Sequence, residues 1–248
     1  MKEERLEFIV LTWNGLEDTK KCVSSIISYH NKPRIIIVDN GSTDDTLEWV
    51  EDFKKHYKFM TLIKVRCGFS QAVNTGLRSC ESKYPIVCNN DIILTNSLRI
   101  LSESLKINQR YKIMASTTNV CGQPLQWFPH HSCVKPCIIK SNDINMVCFS
   151  INRSYWKRNK LDANYKSGVE DIAYCWSIRL KNFYVGICLG AFVYHKGEET
   201  NKREYKKEGM KKNLVFGWKY FAKKFKEYGG LKRANEYFKY KDERDILK

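Results

Sequence analysis

Hard oxygen ligands follow an apolar run at Asn89, Asn90 and Asp91, in the stretch YPIVCNNDIIL. Such oxygens suit Mg2+ or Mn2+ held partly by a substrate's phosphates, although one carboxylate holds a bare ion poorly. His195, closing GAFVYHKG, offers an imidazole that Mn2+ accepts as a second ligand. A plainer reading stays open for both residues: Asp91 caps the following helix and His195 lies on the surface. Glu170 and Asp171 open the amphipathic stretch GVEDIAYCWSIRLKN. Acids at that position favour the helix dipole by about 0.3–1 kcal/mol, and beside a bound hydroxyl the same carboxylate is a general base. A third cluster, CGQPLQWFPHHSCVKPC, gathers Cys121, His130, His131, Cys133 and Cys137. Zinc takes such ligands, but the spacing fits none of the common structural sites and contains no CxxC pair, which favours a loop of free thiols.

Strand, turn and helix alternate ahead of these residues. Residues 6–12, LEFIVLT, read as a strand, WNG as a turn, and Leu16, Val23, Ile26 and Ile27 mark a helix up to His30. The unit recurs in RIIIVDNGSTDDT with a helix on Leu47, Val50 and Phe53, where Ser42 to Asp45 supply N-cap oxygens. It recurs again as a strand over 60–65, the turn RCGFS, and a helix carrying Ala72, Val73, Leu77 and Cys80. The fourth strand is 84–88, followed by a helix on Leu98, Leu101 and Leu105. Strands that are apolar throughout and alternate with amphipathic helices predict an α/β fold with a mostly parallel sheet covered on both faces, its ligand beyond the strands' carboxyl ends. Beyond a loop over 117–142, INMVCFSI reads as a strand, RSYWKRN as a short helix, and Ile172, Cys175, Trp176 and Ile178 as the inner face of another helix; FYVGICLGAFVYH gives one or two short strands. No linker interrupts this, so one domain over 1–199 with an extension over 200–248 is expected.

The chain has 248 residues, 43% of them hydrophobic, enough for a sizeable core. Its net charge is +16; from Lys196 onward 17 Lys and Arg face 9 Asp and Glu, so the extension carries half the excess and should attract phosphates. Leu214, Trp218, Phe221 and Phe225 share one helical face, with Lys219, Lys223 and Lys226 away from it. That face either lies in a membrane interface, where lipid-linked acceptors are found, or packs on the main domain or another subunit. The start of the chain lacks an apolar signal core, and the longest apolar run, 185–194, falls short of the ~20 residues a bilayer needs. Cys22, Cys67, Cys80, Cys88, Cys148, Cys175 and Cys188 sit within apolar patterns as small hydrophobes. The expected location is therefore cytoplasmic, with peripheral attachment to the inner membrane face as an option.

The ordered set FIVLTWNGLEDTKKCVSSI, IIIVDNGSTDDT, GFSQAVNTGL, IVCNNDIIL, VEDIAYCWSIRLKNFYVG and VYHKG closely resembles the family 2 glycosyltransferases over about residues 6–197. That resemblance implies a GT-A nucleotide-sugar-binding fold and inverting transfer from a UDP- or dTDP-sugar, GDP-sugars not being excluded, to a glycan or lipid-linked acceptor. By position it implies donor-binding roles for Thr12, Asn14, Asp39, Arg66, Gly68, Asn74, Asn89 and Asn90, a Mn2+ or Mg2+ site at Asp91 and His195, and Asp171 as the catalytic base with Glu170 beside it. Asn89 departs from the family's usual first aspartate, which removes a charge from the metal site. Competing readings are a sugar nucleotidyltransferase, which needs a glycine-rich basic loop where TWNGLED stands, and a degenerate fold that binds polyanions, which the intact ED pair and His195 oppose. Oligomeric state is left open, and no specific nucleic acid partner is expected. A Rossmann oxidoreductase and a P-loop enzyme are disfavoured by the lack of GxGxxG and GxxxxGK[ST].

Overall fold

The computed structural model describes residues 5–127, 137–165, 168–197, 207–230, 232 and 235. Its N-terminal half follows the alternation in the sequence. Strands β1 (Glu7–Thr12), β2 (Arg34–Asp39), β3 (Met60–Lys64) and β4 (Ile86–Asn89) are joined through helices α1 (Leu16–Tyr29), α2 (Thr46–His56) and α3 (Phe69–Ser79). β1 pairs in parallel with β2 and β4, and β2 with β3. In register, Thr12 lies opposite Asp39, and Leu11 opposite Asn89, so the polar residues that end these strands share one rim.

The second half is mixed. β5 (Ile92–Leu94), α4 (Leu98–Ile107), β6 (Tyr111–Thr118), a 3-10 turn at Pro124–Gln126, β7 (Ile138–Ser141), β8 (Cys148–Ile151), α5 (Arg153–Arg158), α6 (Glu170–Arg179), β9 (Tyr184–His195) and α7 (Lys207–Lys224) complete the chain. The sheet runs β3-β2-β1-β4-β8-β6-β9-β5, with β7 on β9. Only β6 and β9 are parallel here; β8 runs against β4 and β6, and β9 against β5 and β7. The expected α/β sheet is present, and it is mixed: a parallel half continues into a largely antiparallel one. β5 and β6 have no counterpart among the expected strands, and the end of β6, the 3-10 turn and β7 fall within the expected 117–142 loop. β9 is one twelve-residue strand. Between Ser116/Cys188 and Thr117/Phe192 its register with β6 slips by three residues, which explains why its sequence reads as two short strands.

Alternation along each strand divides the core between the sheet's two faces. Phe8, Val10, Ile35 and Ile37 pack with Val23 and Ile26 of α1 and Leu101 of α4. Ile9, Leu11, Ile36 and Val38 pack with Val73 and Leu77 of α3, Trp156 of α5 and Cys175 of α6. α3 comes so close that a Cβ on Gly76 would lie 2.4 Å from Ile9 Cγ2. A third cluster joins Trp218, Phe221, Ala222 and Phe225 of the C-terminal segment to Tyr165, Val169 and Ala173. The amphipathic face of α7 therefore packs on α6, the second of the two expected alternatives, and Lys219, Lys223 and Lys226 are exposed. Among the described residues no helix is long and apolar enough to cross a membrane.

Candidate active site

The strand tips of the parallel half are woven together. Asn14, with φ +57°, and Gly15, with φ +82°, turn the chain sharply after β1, and both occupy the left-handed region that Asn and Gly tolerate. The Asn14 side-chain oxygen accepts from Thr43 N (2.7 Å). Asp39 accepts from Gly41 N and Ser42 N (both 3.0 Å) and from the Ser42 hydroxyl (2.5 Å). Asn90 donates through Nδ2 to Thr12 Oγ1, Asn14 O and Thr19 Oγ1 (3.1, 2.9 and 2.9 Å). Thr12, Asp39 and Asn90 are all buried. Helix α2 takes no cap from Asp45; Asp44 instead accepts from Thr46 N and, through its other oxygen, from Gly15 N and Leu16 N. Burial opposes ionisation of Asp44, but these bonds prevail and lower its pKa.

Asp91 and His195 meet because β5 pairs with the end of β9, Ile92 opposite His195, while Lys196 N donates to Asp91 O (3.0 Å). His195 Nε2 lies 3.3 Å from Asp91 Oδ2. Its Nδ1 is 2.8 Å from Val120 O. A carbonyl only accepts, so Nδ1 donates to it, and Nε2 faces the carboxylate. Asp91 Oδ1, also buried, has no hydrogen-bond partner. A buried carboxylate with an orphaned oxygen beside an imidazole nitrogen is a donor set that a divalent cation fits. Asn119 fixes the backbone of His195, its side chain accepting from His195 N and donating to His195 O.

The acidic pair Glu170 and Asp171 starts α6. Gly168 and Val169 precede it with φ +82° and +76°. Positive φ is strained for a β-branched residue, and it occurs here immediately before Glu170 and Asp171. α7 braces the turn: a Cβ on Gly217 would lie 2.7 Å from Gly168 O and 3.2 Å from Val169 Cγ2. The two acids diverge. Asp171 accepts from Ile172 N (2.7 Å) and Asn145 Nδ2 (3.3 Å). Burial raises its pKa, and the charge of Asp143 adds to this. Glu170 shares a pocket with Tyr165 and Lys224, and its buried Oε2 has no partner. Burial, then the charge of Asp171, raises its pKa as well. Burial raises the pKa of Cys121, and the charge of Asp171 adds to this.

The sequence-derived residues separate on this geometry. Asp91 and His195 meet; Thr12, Asn14, Asp39 and Asn90 form one network; Asn89 ends β4 beside them. Gly68 caps α3 through its carbonyl. Arg66 is exposed, its side chain against Gly41. Asn74 does not join the rim. Its oxygen accepts from Trp156 Nε1 (2.8 Å) and Leu161 N (3.2 Å), and its nitrogen donates to Leu161 O (2.8 Å), which ties α3 to α5. Cys67 lies in the turn after β3 rather than in an apolar element, and His130, His131 and Cys133 lie outside the described residues. Among the described residues no group of three or more His, Cys, Asp or Glu could hold a metal. Sequence reasoning missed Asn119, Val120, Gln126 and Asn145. Gln126, buried, accepts from Asn145 N and donates to Asn145 O, fixing the residue that bonds Asp171. No motif marks these four; their roles exist only through contacts distant in sequence.

This α/β architecture is that of the GT-A glycosyltransferases. Among solved structures, GalNAc-T7 with UDP, GalNAc and Mn2+ superimposes with TM-score 0.65 at 13% identity, over 77% of this chain and 43% of that one. The mannosyltransferase PcManGT from Pyrobaculum calidifontis, in complex with GDP-Man and Mn2+, gives 0.54 at 15% identity, over 75% and 56%. Residues 7–185 match glycosyl transferase family 2, and the chain belongs to that family. Poly-beta-1,6-N-acetyl-D-glucosamine synthase of Staphylococcus epidermidis is 22% identical over 202 residues, covering 73% of this chain and 47% of its own length. An uncharacterized glycosyltransferase of Rickettsia bellii is 24% identical over 197 residues, covering 75% and 28%. The chain thus spans about half, or less, of the length of these curated relatives.

Proposed function

We propose that this protein transfers a sugar from a nucleoside-diphosphate donor to an acceptor hydroxyl with inversion at the anomeric carbon. The observation that carries the reading is the Asp91–His195 pair, with a buried carboxylate oxygen lacking a partner beside an imidazole nitrogen. Asp91 and His195 would hold Mn2+ or Mg2+, which neutralises charge developing on the departing diphosphate. Asp171, held by Asn145 and the start of α6, accepts the acceptor's hydroxyl proton while that oxygen bonds the anomeric carbon and the bond to the phosphate oxygen breaks. Base and leaving group on opposite faces of the sugar give a single displacement and no covalent sugar-enzyme intermediate. Thr12, Asn14, Asp39 and Asn90 shape the donor loop through their mutual bonds, and Gly68 and exposed Arg66 border it. Support for a UDP- or dTDP-sugar comes from the acid at Asp39. The names of the Staphylococcus relatives make UDP-N-acetylglucosamine the first donor to test, with a glycan or lipid-linked hydroxyl as acceptor. Exposed lysines on α7 offer anionic lipid a surface for attachment by charge.

A donor screen that detects released nucleoside diphosphate, run with Mn2+, with Mg2+ and with chelator, tests this reading. Turnover should need added metal and disappear in Asp91→Ala. Full turnover in chelator would defeat the metal assignment.

A further inference from the structure

At the far end of β6 and β9 from His195, a cleft of about 570 Å3 opens beside α5. β6 alone separates the two ends by about 25 Å, so this cleft is remote from the proposed donor site. Lys112, Tyr155, Arg158, Lys181 and Phe183 line it, and no carboxylate does. Lys112 is 9% exposed, an unusual burial for a lysine without an acid. Its Nζ donates to Gln109 O and lies 4.2 Å from the centre of the Phe183 ring. Burial, then the like charge of Arg158, lowers its pKa. Lys181 donates to Asn159 Oδ1, whereas Arg158 has no ion-pair partner among the described residues. Tyr155 is 5% exposed, and its hydroxyl has no hydrogen-bond partner.

Two cations without a carboxylate partner, Lys112 and Arg158, in a cavity of ligand size are complementary to an anion with several acceptor oxygens. We propose that this cleft binds a phosphate-bearing ligand, its oxygens contacting Lys112 and Arg158. The aromatic walls provided by Tyr155 and Phe183 leave room for an organic group attached to the phosphate. Because no residue of the donor rim participates, binding requires no divalent metal.

Titration calorimetry of the full chain with pyrophosphate, in chelator, tests the proposal. Saturable binding is expected, weakened about tenfold or more by Arg158→Ala and unchanged by Asp91→Asn. Arg158 is exposed, so its replacement should spare the fold, which the unfolding midpoint would verify. Co-sedimentation with phosphatidylcholine vesicles, with and without phosphatidic acid, separates the sources of phosphate. Sedimentation that depends on phosphatidic acid and is lost in Arg158→Ala identifies a lipid headgroup; pyrophosphate binding alone identifies a soluble ligand. Absence of saturable pyrophosphate binding, or binding that Asp91→Asn abolishes and Arg158→Ala leaves intact, would overturn the assignment.

Discussion

Around β1, β2 and β4, Asp39 accepts three hydrogen bonds, Asn90 donates three, and Asn14 holds the loop that follows β2. Around β5, β9 and α6, Asp91 Oδ1 and Glu170 Oε2 are buried with none. The polar residues of the first region have their capacity occupied by neighbouring loops, and those of the second retain it. An acid whose bonds are satisfied maintains a shape. A buried acid with an oxygen left over imposes a desolvation cost that a ligand or proton can relieve. On this contrast the parallel half would be scaffold for the proposed donor, and the proposed reacting groups lie where the antiparallel half closes against it.

Substitutions at the two kinds of acid test the contrast. Asp171→Asn keeps the shape and removes the proposed base, so turnover should drop by about 10²- to 10⁴-fold in a nucleoside-diphosphate release assay while the urea midpoint stays in place. Asp39→Ala should do the reverse. It strands Gly41 N, Ser42 N and the Ser42 hydroxyl at a cost of order 3 kcal/mol, read as an earlier urea transition. If Asp39→Ala left stability untouched, the rim network would not be scaffold.

Smaller effects probe how α7 serves the acidic pair. Gly217→Ala places a methyl against Gly168 O and should destabilise by roughly 1–3 kcal/mol, lowering turnover as well, because the 168–169 turn aims Asp171. Unchanged turnover in a destabilised Gly217→Ala would separate α7 from the site. The smallest effect concerns Glu170, whose pKa is raised by burial. The fold favours the protonated carboxyl, so this stabilisation is present at acid pH and is lost as pH rises through the raised value. Glu170→Gln should flatten that decline, recovering on the order of 1–2 kcal/mol at the alkaline end, as measured by unfolding at several pH values.

Much of the parallel half was legible in the sequence. Runs such as RIIIVD are too apolar and too β-branched to lie anywhere but between two helix layers, and each ends in residues that a sheet rejects. β6 was not legible: YKIMASTT mixes small, polar and apolar residues with no period, yet all eight are buried, because cross-strand neighbours on β8 and β9 make the environment. Asn74 misled in the opposite sense. The family resemblance implied the donor pocket for it, while Trp156 and Leu161, some 80 residues on, occupy its amide.

The sequence by itself determined the chain of βα units, the rim on which their polar ends gather, and the identities of the acids and the histidine, since hydrophobic period and turn chemistry are local properties. Tertiary structure decided which of those groups are occupied and which remain open. Asp91 faces His195 only because a three-residue strand pairs with the end of β9 about a hundred residues later. Asp171 and Glu170 diverge only because α7 packs on the strained turn before them. Hydrogen-bond satisfaction and desolvation depend on what surrounds an atom in space, and no spacing along the chain specifies that.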